Sequence, residues 1–109
     1  MASKKYSFFL TETAESDINQ IFEYISVNLS NPEAAASFAD ELESQISEIC
    51  KTPKIGRLVE NGYIKRSDVR RILIETFILY YLIDDREHRI IVLRVVYSKR
   101  DQNKIFKSL

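Results

Sequence analysis

The sequence is poor in the residues that mark several specialised classes of protein. Its single cysteine, Cys50, permits no internal disulfide and no cysteine-based zinc site, so we expect a reducing, cytoplasmic location. Two glycines and two prolines among 109 residues argue against collagen-like and disordered chains. The longest purely apolar run, Phe77–Ile83, has seven residues, far short of the roughly 20 that a membrane helix needs. The lysines near the N-terminus precede no apolar signal core, so we expect no secretory signal.

The rest of the composition is ordinary for one globular domain spanning residues 1–109, with 45% hydrophobic and 29% charged residues. The formal net charge of zero hides an asymmetry. Residues 1–50 carry two basic and nine acidic residues, whereas residues 51–109 carry 14 basic and seven acidic ones. The basic half could meet nucleic acid or an acidic protein. Alternatively, acidic helices and basic strands balance each other on one small surface.

Two segments show the spacing of helices. Thr11 and Thr13 are candidate N-caps for a first helix over residues 13–29. Its apolar stripe is Ala14, Ile18, Ile21, Phe22, Ile25 and Leu29. Glu15, Asp17 and Glu23 are assigned to positions off that stripe. Asn31 as N-cap and Pro32 at the first helical position begin a second helix over residues 32–51. The short connection predicts an antiparallel helical hairpin.

The remaining segments show the composition of strands. Residues 6–10 predict a short first strand, and residues 53–68, with Gly56 and a turn at Asn61-Gly62, predict a loop. Three further strands follow at 69–76, 78–83 and 89–97, joined by turns too short for a crossover and therefore antiparallel. A short tail helix within 101–109 would place Ile105 and Phe106 on its apolar side. The order predicts an α+β fold with an N-terminal strand, a helical hairpin and a three-stranded antiparallel sheet.

The sequence shows no standard catalytic constellation. It has no glycine-rich phosphate loop, metal-ligand cluster or nucleophile elbow, so we expect no metal and no cofactor. The only histidine, His88, falls in a predicted hairpin loop and is interpreted as a solvated surface residue. Cys50 lies beside an apolar stripe and is interpreted as a residue at the edge of the core rather than a reactive thiol.

Arginines in the strands are the most suggestive side chains. Strict alternation places Arg94 on one face with Ile90, Val92 and Val96, where a charge must be paired or functional. We favour a salt bridge to a helix carboxylate over an anion-binding sheet face. Arg70 and Arg71 open another strand. A basic cluster follows the last strand and consists of Tyr97, Ser98, Lys99, Arg100 and Asp101. It would either position a phosphate backbone or form an ordinary solvated turn.

The order of these features resembles the RelE/ParE superfamily of toxins from bacterial type II toxin–antitoxin modules, over roughly residues 6–106. Gly56-Arg57 and the strand pair Tyr80-Tyr81 contribute to the resemblance. The remaining contributors are Ala14, Asp17, Ile21, Tyr24, Ala34-Ala35-Ala36, Pro53, Val69-Arg70-Arg71, Leu93-Arg94-Val95 and Lys99-Arg100-Asp101. The resemblance implies the fold described above and neutralisation by a cognate antitoxin.

The resemblance implies one of two toxic activities. RelE-like members cleave mRNA in the ribosome, and here the candidate phosphate-binding or catalytic residues would be Arg70, Arg71, Arg94, Tyr97 and Arg100. Their usual tail tyrosine is matched by Phe106, which cannot exchange a proton. ParE-like members inhibit DNA gyrase, and Lys99 and Arg100 would then contact the target. ParE-like chains tend to have histidine where Tyr97 stands.

We favour the ParE-like branch, a plasmid-stabilising, growth-inhibiting toxin that is not itself an enzyme. The first alternative is a ribosome-dependent endoribonuclease. The second is an inactive homologue that retains only antitoxin binding.

Overall fold

The computed structural model describes residues 5–60, 62, 64 and 66–109, which build one mixed sheet between two helical layers. The strands are β1 (Ser7–Leu10), β2 (Arg57–Leu58), β3 (Arg70–Ile74), β4 (Phe77–Asp84) and β5 (Arg89–Tyr97). Their order in the sheet is β1-β5-β4-β3-β2, with β1 parallel to β5 and the other pairs antiparallel. The helices are α1 (Glu12–Glu23), α2 (Pro32–Lys51) and α3 (Gln102–Lys107).

Local capping defines the helical hairpin. The Thr11 hydroxyl accepts a hydrogen bond from the amide of Ala14 at 3.1 Å, and the Asn31 side chain accepts one from Ala34 at 3.1 Å. The predicted second helix, residues 32–51, is confirmed. The first helix is shorter than predicted, because from Tyr24 to Asn28 the chain forms a π-helical turn. This turn follows Phe22, which is exposed, as is Leu29, so neither belongs to the buried stripe assigned to them.

The sheet separates two apolar cores. The hairpin packs on one face through the cluster Ala14, Phe38, Leu42, Ile46, Ile49, Cys50, Ile74, Leu79, Tyr81, Ile90, Val92 and Val95. On the other face α3 buries Ile105 and Phe106 against Val69, Ile78, Tyr80 and Val96. The α+β class, the antiparallel β3–β4–β5 sheet and the tail helix are therefore confirmed. Because both faces are covered, β4 consists almost entirely of apolar and aromatic residues.

The sheet is larger than the three antiparallel strands predicted. The first strand joins the sheet beside β5, and residues 53–68 contribute a 3₁₀ turn, Pro53–Ile55, and the short strand β2. Two residues carry too little periodicity to mark a strand, so only pairing with β3 reveals β2. Gly62 lies in a turn, as predicted, whereas its neighbour Asn61 is outside the described residues.

The lone histidine has a local structural role. His88 is exposed, as expected, but its ring stacks on Tyr6 with centroids 3.8 Å apart, and its φ of 53° lies in the left-handed region. The Tyr6 hydroxyl also donates to Asp85 at 2.7 Å, so the β4–β5 turn is attached to the start of β1. Cys50 is buried, and burial raises the pKa of its thiol, consistent with a packing role. None of the helices described is long and apolar enough to span a membrane.

Candidate functional site

A buried ion pair joins α1 to the middle of β5. The Asp17 carboxylate accepts hydrogen bonds from Nη2 and Nε of Arg94 at 2.8 and 2.9 Å and from the amide of Val95 at 3.1 Å. The side chain of Arg94 is only 15% exposed and that of Asp17 only 10%. The hydrogen bonds that Arg94 donates to Asp17 raise the pKa of Arg94, so the guanidinium stays charged. The predicted pairing of Arg94 with a helix carboxylate is confirmed.

The placement of Asp17 away from the apolar stripe was wrong. Asp17 lies three residues after Ala14 and four before Ile21, so the helix turns its side chain toward the sheet. Its carboxylate is therefore a partner for the sheet rather than a solvated charge near the helix N-terminus.

A β-bulge reverses the alternation of β5. Tyr80 pairs with Arg94 and Tyr81 with Val92, so Leu93 is the extra residue in β5. As a result Val92 belongs to the hairpin-side core and Val96 to the α3-side core. The prediction that Arg94 shares a face with Ile90 and Val92 was therefore wrong, because it assumed an unbroken period of two, whereas Val96 does lie on the same face as Arg94.

Four strands place polar side chains in one row across the α3 side of the sheet. Arg57 on β2 pairs with Arg71 on β3, Arg71 pairs with Tyr80 on β4, and Tyr80 pairs with Arg94 on β5. Residues directly opposite each other share a face, and like charges in such positions are destabilising. Among the described residues, no carboxylate lies within ion-pair distance of Arg57 or Arg71. These two guanidinium groups therefore remain available to an external anion.

Arg57 and Arg71 line a groove of about 610 Å³ between β2, β3 and α3, which we call the basic groove. Its described lining is Arg57, Leu58, Val59, Glu60, Arg71, Gln102, Asn103 and Phe106. Guanidinium and side-chain amide groups together can hold a phosphate or a carboxylate. Of these described lining residues, only Glu60 carries a carboxylate.

Tyr80 and Phe106 lie beneath this groove as packing residues. Their rings meet edge to face with centroids 5.7 Å apart, and the Tyr80 hydroxyl donates to the side-chain oxygen of Gln102. Burial raises the pKa of Tyr80, while Arg71 opposes that rise. The phenol therefore stays protonated at neutral pH and serves as a hydrogen-bond donor that fixes α3 on the sheet.

Arg70 belongs to a different structural unit. Its Nη1 donates to the carbonyl oxygen of Gly56 at 2.7 Å. The buried hydroxyl of Tyr81, the residue opposite Arg70, donates to Pro53 at 2.7 Å and accepts from the amide of Gly56 at 2.9 Å. Arg70 thus helps to hold the loop that leads into β2, on the opposite side of the sheet from the row.

Tyr97 and Arg100 line a second groove, of about 800 Å³, beside the connection between α1 and α2. We call it the strand-end groove; its other described lining includes Tyr24, Ile25, Leu29, Glu75, Thr76 and Phe77. The Tyr97 ring meets Phe77 edge to face with centroids 6.0 Å apart. Lys99 is exposed in the neighbouring turn.

The predicted site residues are thus distributed over separate places. Arg71 and Arg94 share the row, Tyr97 and Arg100 share the strand-end groove, and Arg70 supports a loop. Sequence reasoning missed Arg57, because nothing in the sequence predicts the two-residue strand that positions it. It also missed Asp17, although its spacing from Ala14 and Ile21 could have indicated it.

Comparison with known proteins identifies the family. A sequence model described as ParE toxin of type II toxin-antitoxin system, parDE, matches residues 8–102. The chain belongs to the ParE toxin family. It is a type II toxin of the RelE/ParE superfamily, which confirms the resemblance found from the sequence.

Solved structures show the same fold for this ParE-family toxin. The chromosomal ParDE toxin–antitoxin system of Pseudomonas aeruginosa matches with a TM-score of 0.69 and 20% identity, covering 89% of this chain and all of the other. A free-state mutant of Escherichia coli RelE matches with a TM-score of 0.66 and 14% identity, covering 95% of both chains. The RelBE2 toxin–antitoxin complex of Mycobacterium tuberculosis matches with a TM-score of 0.60 and 20% identity, covering 86% of this chain and 99% of the other. No curated protein matches the sequence.

Proposed function

We propose that this ParE-family toxin inhibits DNA gyrase in the cytoplasm and that a cognate antitoxin neutralises it. The observation that carries the proposal is the ParE family match over residues 8–102. The side-chain environments support it. Arg94 is bound to Asp17, Tyr80 is a buried donor, and Phe106, which is 5% exposed, fills the α3-side core. Two positions on which the RelE-like interpretation depended, Arg94 and Phe106, thus serve folding instead.

The partner is proposed to be an antitoxin with an acidic segment. Arg57 and Arg71 have no carboxylate partner in the described part of the chain, and further exposed cations follow at Lys99, Arg100 and Lys104. Carboxylates of the antitoxin would complement this surface and accelerate its association. The P. aeruginosa and M. tuberculosis neighbours are themselves toxin–antitoxin systems, consistent with such a partner.

The decisive experiment compares two targets with the same purified toxin. We expect the wild type to inhibit gyrase supercoiling and to leave mRNA on translating ribosomes intact. Lys99→Ala/Arg100→Ala should weaken the inhibition without unfolding the protein, because exposed charges contribute little to stability. The matched control Lys54→Ala/Lys104→Ala removes the same charge from other exposed positions and should retain inhibition. Cleavage of mRNA with unchanged supercoiling would refute the proposal.

The basic groove supports a second candidate, a ribosome-dependent ribonuclease. There Arg57 and Arg71 would hold phosphate and stabilise the charge of the transition state, while Glu60 would exchange the proton. This candidate requires mRNA cleavage that is lost in Arg71→Ala and Glu60→Gln. The third candidate, an inactive antitoxin-binding homologue, requires normal growth of cells in which the toxin is induced without its antitoxin.

A further inference from the structure

The two edges of the sheet differ in how well they are protected against association. One edge consists of the two-residue strand β2 and the end of β3, and Arg57, Arg70 and Arg71 lie along it. The other edge is β1, whose sequence Ser-Phe-Phe-Leu contains neither charge nor proline. Phe8 and Phe9 are 53% and 49% exposed on it. Charges, proline and bulges are the devices that normally keep an edge strand from pairing, and β1 has none of them.

The hydrogen bonds of β1 show which of its backbone groups remain free. The amides of Ser7 and Thr11 donate to the carbonyls of His88 and Val92, each at 3.1 Å, so these positions face β5. The amide of Tyr6 faces the other way and donates to Cys50 at 3.0 Å. Alternation along the strand therefore turns the N–H and C=O groups of Phe8 and Leu10 away from β5. The described part of the chain gives these groups no backbone partner.

Both faces of this edge are apolar. On the hairpin side, Phe8 and Leu10 line a groove of about 560 Å³ together with Leu42 and Ile46 of α2. Phe9 lies on the opposite face, where the guanidinium of Arg89 is 5.3 Å from the centroid of its ring. A strand added at this edge would therefore bury apolar side chains on both sides.

We propose that β1 pairs antiparallel with β1 of a second copy, so that one continuous sheet runs through a twofold dimer. The free groups select the register, because Phe8 of one copy and Leu10 of the other then exchange hydrogen bonds in both directions. Phe9 lies on the twofold axis and faces Phe9 of the second copy as a non-hydrogen-bonded pair, in which side chains approach most closely. The strand is thus complementary to itself in hydrogen bonding and in side-chain character.

Charge favours a second copy as the occupant of the edge. In this register, Lys5 of each copy lies beside the first turn of α1 in the other, where Glu12 and Glu15 are both exposed. The basic start and the acidic end of the segment therefore meet their opposites in an antiparallel arrangement. This inference is independent of the toxin's target.

Sedimentation velocity of the full chain over a concentration series tests the proposal. The wild type should sediment increasingly as a dimer as its concentration rises. Phe9→Lys places two like charges on the twofold axis and should abolish the dimer over the same range. Leu73→Lys is the matched control, since Leu73 is an equally apolar and even more exposed residue on the other edge, and it should leave the dimer unchanged. Circular dichroism should show both variants folded.

Cross-linking gives a second readout that does not depend on weakening the dimer. Phe9→Cys should form an intermolecular disulfide under mild oxidation, because the side chains at the twofold axis come within disulfide reach. Leu73→Cys should not, and native Cys50 is buried. A wild type that stays monomeric at all concentrations overturns the proposal. If Phe9→Lys then weakens capture of the antitoxin, the β1 edge is assigned to the antitoxin instead. Association that survives Phe9→Lys, or that Leu73→Lys abolishes, overturns it as well.

Discussion

Removing one partner of the Asp17–Arg94 pair should destabilise the protein strongly. Asp17→Asn keeps the shape of the side chain but leaves the guanidinium, 15% exposed, without its counterion. Breaking a buried pair in this way costs about 3–5 kcal/mol. Small domains unfold with free energies of about 5–15 kcal/mol, so a large fraction of the stability is at stake. With a urea dependence near 2 kcal/mol per M, the midpoint should fall by about 1.5–2.5 M.

A double-mutant cycle separates the interaction from the cost of each substitution. Arg94→Met removes the charge while keeping an unbranched side chain, and it should cost about as much as Asp17→Asn. The double variant should be more stable than the sum of the single losses predicts, by about 2–3 kcal/mol, because neither charge is then left unpaired. Urea unfolding followed by circular dichroism measures all four corners of the cycle.

The exposed pair Arg66–Asp68 is a matched control within the same chain. It has the same two-bond geometry, with distances of 3.0 and 2.9 Å, but both side chains are about half exposed. Asp68→Asn should therefore cost less than about 1 kcal/mol. If Asp17→Asn costs no more than Asp68→Asn, or if the cycle is additive, burial does not strengthen the Asp17–Arg94 pair and the reasoning is refuted.

Three further predictions concern the packing around the sheet. Gly56→Ala should lower the free energy of unfolding, measured in urea, by about 1–3 kcal/mol, because the new Cβ would lie 2.5 Å from the Tyr81 hydroxyl and 2.8 Å from the Arg71 carbonyl oxygen. A loss below about 0.5 kcal/mol would show that the loop adjusts freely to the added methyl group. Burial raises the pKa of Tyr80 and Tyr81, so the phenols ionise at lower pH in the unfolded chain than in the folded one, and the free energy of unfolding should fall as pH rises past about 10. Tyr81→Phe should reduce that fall. An equal fall in the variant would contradict the assignment. Phe106→Ala should cost about 3–5 kcal/mol, whereas Phe106→Tyr should create no ribosome-dependent RNA cleavage; cleavage by the tyrosine variant would show that only a hydroxyl was missing from a nuclease site.

Features set by local chemistry were predictable from the sequence. Helix α2 begins and ends where predicted, because Asn31 caps it and Pro32 fits its first position. The turns between the last three strands were also predictable, since their lengths exclude a crossover. The tail helix followed from its paired apolar residues. In each case the information lies within a few consecutive residues.

Features set by tertiary pairing were not predictable in the same way. Strand β2 exists only through its bonds to β3, and the bulge at Leu93 exists only through the register of β5 against β4. The bulge changes the face on which every later residue of β5 lies, so one extra residue was enough to misplace Arg94 and Val96 relative to Ile90 and Val92. The row of Arg57, Arg71, Tyr80 and Arg94 depends on both features at once. This is why the candidate site was predicted as a collection of residues and not as an arrangement.

The same row explains why arginines of one sheet have different roles. Arg94 lies opposite Tyr80, and Asp17 of α1 compensates its charge, so its contribution is to the fold. Arg57 and Arg71 lie opposite each other without such a carboxylate in the part of the chain that the structure describes, so their mutual repulsion lowers the stability of the free toxin. An anion bound between them would relieve that repulsion as well as make new hydrogen bonds. The interaction that destabilises the free chain would therefore strengthen the binding of an acidic partner.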